Sequence, residues 1–142
     1  MTVFFDASVI IAGLLSETGG SALLLKYVKK KLIFGITSQT VIDEVLEEDK
    51  TEKLKKSKEE VEQFIAQSGL LVQERIEPEE IQTYEGKIDI EDAHLIAGAN
   101  FKSCSHLVSL DKKHVTWPDV QKFFLPLKIV SPKELLEEIV RK

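Results

Sequence analysis

The chain has 142 residues and a single cysteine, Cys104, so no internal disulfide can form and cysteine usage gives no sign of an oxidising compartment. Prolines number four and glycines seven, and they form no linker that would set off a second domain; no repeat or low-complexity tract occurs either. No apolar run approaches the roughly 20 residues that a membrane-spanning helix needs. The opening Met1-Thr2-Val3 lacks a basic leader, and its apolar stretch is broken by Asp6, which argues against a signal peptide. The expectation is one cytoplasmic domain over residues 1–142, with a core large enough to fold without disulfides.

Positive charge is also in short supply, with 19 basic residues against 24 acidic ones and a net charge of −5. That total would ordinarily count against binding a polyanion, because such affinity comes largely from lysine and arginine. The lysines are unevenly spread, however, and concentrate in 26–31 and 50–58. The second group is interleaved with Glu47, Glu48, Glu52, Glu59 and Glu60 and reads as a solvated helix face.

What the chain does have is alternation. Residues 2–6 read as a buried strand that turns at Asp6 into the helical stretch 7–12, and 22–31 as an amphipathic helix with its lysines at the carboxyl end, where the helix dipole favours them. A second strand is expected at 32–37. Ser38 then caps a helix that brings Val41, Glu44, Val45 and Glu48 close to one side. Ser57-Lys58-Glu59-Glu60 is a capping box for a helix stopped by Gly69, giving a helical hairpin. Further strands are expected at 70–72, 106–110 and 128–130. Helices are expected from Pro78 to near Gly86, from Ala93 to Phe101 with Asp89 as cap, and after the box Ser131-Pro132-Lys133-Glu134. Strands alternating with helices predict a three-layer α/β/α sandwich around a parallel sheet of four to five strands.

Four acids stand at the ends of these elements. Asp6 follows Val3-Phe4-Phe5, Glu44 follows Val41-Ile42, Asp92 precedes Leu95-Ile96, and Asp111 follows Leu107-Val108. Three of them alone have an ordinary explanation: Asp6 can cap through the amides of Ser8 or Val9, Asp92, or Asp89 near it, can cap its helix, and Asp111 suits a turn. Glu44, two turns into a helix, gains nothing from capping. Apolar runs flank all four and would carry them to one crevice at the sheet's edge. Carboxylates so gathered repel one another unless a cation compensates them. An oxygen-only set without His or Cys suits Mg²⁺ or Mn²⁺, and such an ion would offset part of the chain's acidity. The chemistry that follows is attack of an activated water on a phosphodiester.

The run Phe5-Asp6-Ala7-Ser8-Val9-Ile10-Ile11-Ala12 resembles the opening of PIN-domain proteins. The segments Thr40-Val41-Ile42-Asp43-Glu44-Val45, Asp89-Ile90-Glu91-Asp92-Ala93, Leu107-Val108-Ser109-Leu110-Asp111 and Ile129-Val130-Ser131-Pro132 are similar to that family's later motifs, in the same order. The resemblance implies that Asp6, Glu44, Asp92 and Asp111 are the catalytic, metal-binding acids, with Asp89 an accessory and Ser8 and Ser109 supporting polar residues. It implies a metal-dependent endoribonuclease acting on RNA, the toxin of a pair restrained by an antitoxin protein, and a homodimer. Ser109 stands where threonine is more usual. The rival reading is a catalytically silent PIN-like module that binds RNA or protein. A phosphatase with Asp6 as nucleophile is disfavoured by Ser8, since haloacid-dehalogenase-type enzymes carry an acid there.

Lys112 and Lys113, just past Asp111, are candidate phosphate contacts beside the metal. His94, two positions along a helix from Asp92, is expected to point elsewhere and to pack or meet solvent. His106 and His114 read the same way. Trp117 near Phe123 and Phe124 reads as core or dimer surface rather than a base-stacking platform. Cys104 has no basic neighbour to activate it and reads as structural.

Overall fold

The computed structural model describes residues 1–75, 77–82, 90–101, 104–110 and 127–141, with the side chains at 80, 81, 90–93, 100 and 101 outside that description. The elements are β1 (Thr2–Phe5), α1 (Ala7–Leu15), α2 (Gly20–Lys29), β2 (Phe34–Ser38), α3 (Gln39–Val45), α4 (Glu48–Leu54) and α5 (Lys58–Gln67). They continue with β3 (Leu71–Gln73), α6 (Pro78–Gln82), α7 (Ile90–Phe101), β4 (His106–Val108), β5 (Lys128–Val130) and α8 (Pro132–Arg141).

The five strands are all parallel and lie in the order β3-β2-β1-β4-β5. The chain therefore winds outward from β1 to one edge, then crosses back and winds to the other, and right-handed crossovers place the intervening helices on opposite faces. This is the expected three-layer α/β/α sandwich. Val3, Phe4 and Phe5 are fully buried, as a central parallel strand covered on both faces must be. A single core cluster runs from Val3 through Ile36, Ile96, Leu107 and Ile129 to Leu135.

Local chemistry sets most element ends. The Ser57 hydroxyl accepts a hydrogen bond from the Glu60 amide at 3.1 Å while the Glu60 carboxylate accepts one from the Ser57 amide at 3.2 Å, and Ser131 and Glu134 repeat the pattern at 3.1 and 3.0 Å. Gly69, with φ +89°, ends α5 as expected.

Four elements differ in their bounds from expectation. The second strand begins at Phe34, not Leu32, because α2 closes in a Schellman motif: Lys31 takes φ 63°, its amide bonds to the Val28 carbonyl, and that of Leu32 to Tyr27. The third and fourth strands shift or shorten by one or two residues, to Leu71–Gln73 and His106–Val108. The helix after Ser38 breaks at Leu46–Glu47, and Glu48 opens α4 rather than continuing the line of Val41 and Val45. A continuous helix would have turned Glu48, Asp49 and Glu52 inward beneath Val45. The break instead lets Thr51 and Leu54 be buried.

At the amino edge of the sheet, His106 opens β4 and is only 4% exposed. Its Nδ1 lies 2.7 Å from Ser105 Oγ, and its Nε2 lies 3.0 Å from Glu138 Oε2 on α8. Lys128 approaches the other Glu138 oxygen at 3.5 Å. Burial works against the Glu138 carboxylate, yet the hydrogen bond from His106 and attraction to His106 and Lys128 outweigh it and hold the group below the usual range.

Candidate active site

At the opposite edge, β1 and β4 end side by side, and the strand order reverses between them. That is the position at which open α/β sheets form ligand crevices. The Asp6 amide bonds to the Val108 carbonyl at 3.2 Å, joining the two strand ends. The Asp6 side chain, 7% exposed, accepts from the Ala7 amide at 2.7 Å on one oxygen. Its other oxygen accepts from the hydroxyls of Ser8 at 2.9 Å and Ser109 at 2.6 Å. Ser8 in turn accepts from the Leu110 amide at 3.0 Å. Asp6 thus does cap α1, but through Ala7 rather than Ser8 or Val9. The three donors offset the desolvation of a buried carboxylate, and the Ser109 contact falls in the length range of charge-assisted O–H···O⁻ bonds.

Asp6, Ser8, Glu44, Lys50, Lys53, His94 and Leu110 line one cleft of about 460 Å³, within the size range of small-ligand sites. Glu44 reaches it from α3. Ser38 anchors the start of that helix by accepting from the Val41 amide at 3.2 Å, and Arg75 grips Asp43 with bonds of 2.7 and 3.1 Å. The Arg75 guanidinium holds the Asp43 carboxyl below its usual range. On the far wall, α7 is tied to the sheet by Gln73, which donates to the Gly98 carbonyl at 3.0 Å. Asp92 falls in the first turn of α7, while its side chain lies outside the described residues. Asp89, Asp111, Lys112, Lys113, His114 and Trp117 likewise lie outside them.

Two expectations change. His94 lines the cleft, in the first half of α7, instead of pointing away from it. Lys50 and Lys53 are not simply a solvated face: α4 packs against α1, and both lysines line the cleft that holds Asp6 and Glu44. The hydrogen bond from Lys50 to Asp49, with attraction to Glu47 and Glu44, raises its ammonium above the ordinary lysine value. Cys104 matches expectation, since burial pushes its thiol up to about 11 and leaves it unreactive.

Among the described residues no three His, Cys, Asp or Glu side chains stand close enough to cage an ion. The donors at hand are nonetheless mainly oxygens, from the carboxylates of Asp6 and Glu44 and the hydroxyls of Ser8 and Ser109, with the His94 imidazole on the same cleft. Such a set fits Mg²⁺ or Mn²⁺ better than Zn²⁺.

The fold and cleft define an α/β protein with a hydroxyl-buttressed acidic site at a topological switch point. The family model for the PIN domain matches residues 2–113, and the chain belongs to the PIN-domain family. Among solved structures it is similar to a chain of the crystal structure of VapBC2 from Rickettsia felis bound to a DNA fragment from their promoter. The TM-score is 0.60 at 17% identity, over 92% of this chain and 98% of the other. No curated protein matches the chain.

Proposed function

We propose that the protein is a metal-dependent endoribonuclease, with the whole chain acting as one domain, and that it is the toxin of a pair restrained by an antitoxin. The observation that carries this reading is the Asp6 carboxylate, fixed by Ser8 and Ser109 in a cleft it shares with Glu44. Family membership and the likeness to a VapBC2 chain support it. Asp6 and Glu44, joined by Asp92 and Asp111 and with Asp89 as accessory, would hold Mg²⁺ or Mn²⁺. When bound, such an ion supplies Lewis acidity, lowering the pKa of a water and offsetting charge that builds on the phosphate.

The chain's own contribution is orientation. Ser8 and Ser109 spend their hydroxyl protons on one oxygen of Asp6, which fixes the plane of the carboxylate and leaves its lone pairs aimed in few directions. Burial of Asp6 keeps bulk water from competing for that oxygen. Lys112 and Lys113 would contact phosphates beside Asp111. The protein would act in the cytoplasm, as a homodimer.

The test is cleavage of RNA with Mn²⁺, with EDTA, and with Asp6→Asn. Metal-dependent cutting that falls at least about a hundredfold in the variant is expected, with the fold intact by circular dichroism. Equal cleavage by Asp6→Asn would overturn the site assignment. Failure of the wild type to bind metal would favour a silent RNA- or protein-binding module.

A further inference from the structure

We infer that Lys50 and Lys53 of α4 form the phosphate-binding wall of the cleft and hold the RNA strand against the Asp6 and Glu44 carboxylates; this rests on the endoribonuclease reading. The two lysines are three residues apart, so they share one flank of α4 with their Cβ atoms about 5–6 Å apart. Thr51 and Leu54, one position further along in each case, are buried, which anchors α4 and holds the lysine flank at the cleft mouth.

Electrostatics gives the arrangement its purpose. A cleft lined by carboxylates repels a polyanion, and a chain of net charge −5 does nothing to relieve that at long range. Cations on the wall of the same cleft supply the attraction locally. Lys50 is held by Asp49 at 3.2 Å and Glu47 at 3.8 Å, contacts made near solvent and therefore weak enough for a phosphate to displace. Lys53 is exposed.

The experiment is binding of a short labelled oligouridylate, titrated against salt with Ca²⁺ in place of the activating ion. The wild type is compared with Lys50→Gln/Lys53→Gln, Lys50→Arg/Lys53→Arg, and Lys30→Gln/Lys31→Gln at the far edge of the sheet. Loss of two phosphate contacts is expected to weaken binding roughly tenfold or more and to flatten the log–log salt slope by about 1.4. The arginine pair should restore both, and the far pair should change neither. An unchanged slope in Lys50→Gln/Lys53→Gln, or an equal loss in the far pair, overturns the inference while wild-type cleavage leaves the nuclease reading standing. A wild type that neither binds nor cuts the strand overturns both.

Discussion

The two edges of the sheet treat an acidic side chain in opposite ways. At the amino edge, Glu138 is matched by His106 and Lys128, so acid and base answer each other within one network. At the carboxyl edge, the contacts to Asp6 among the described residues are all neutral donors: one amide and two hydroxyls. Hydrogen bonds fix where that carboxylate points without cancelling its charge. An acid paired with bases is a clamp, whereas one oriented only by neutral donors would, on the reading proposed above, be left to hold a cation. Both edges draw on β4, which opens with His106 at one and leads to Ser109 at the other, and the partners differ.

The contrast can be broken by attacking what the edges share. Leu107 is fully buried in β4, midway between them, and Leu107→Ala is expected to cost about 2–5 kcal/mol by chemical denaturation, weakening both sites together. It is sharpened by attacking one edge alone. Glu138→Ala leaves the buried His106 Nε2 without its acceptor, and a loss of about 1–3 kcal/mol is expected with cleavage per folded molecule unchanged. Asp6→Asn should do the reverse, sparing stability and removing activity. A Glu138→Ala protein that kept its stability but lost activity would collapse the distinction.

The smallest effect is one of pH. The folded-state pKa of Glu138 lies below the usual value of 4.5, so its contribution is present above that value and is lost as pH falls through the folded one. Denaturation of wild type and Glu138→Ala across acid pH should show their stability gap constant near neutrality and closing below about pH 4.5.

What the sequence made legible was chemistry that acts over a few residues. The capping boxes at Ser57 and Ser131 and the stop at Gly69 all rest on neighbours within about one turn. The four acids were legible as candidates because each ends or opens an element, and the structure sets Asp6 and Glu44 in one cleft. The turn at Lys31 was not, because its left-handed backbone falls on a lysine and lacks the glycine that announces such a cap. The break between α3 and α4 was missed because neither glycine nor proline marks it. The signal was present as a slip of phase: Val41 and Val45 lie on one helical line, Thr51 and Leu54 on another. Following that slip would have brought Lys50 and Lys53 to the acids.

The bond from Ser109 to Asp6 joins residues 103 positions apart. Asp6 therefore waits for 103 further residues to be made before this partner exists, and closing so long a loop comes late in folding. A nascent chain still on the ribosome carries Asp6 but not the assembled cleft. On the reading proposed above, no RNA-cutting centre can assemble on the growing chain before Ser109 has been made.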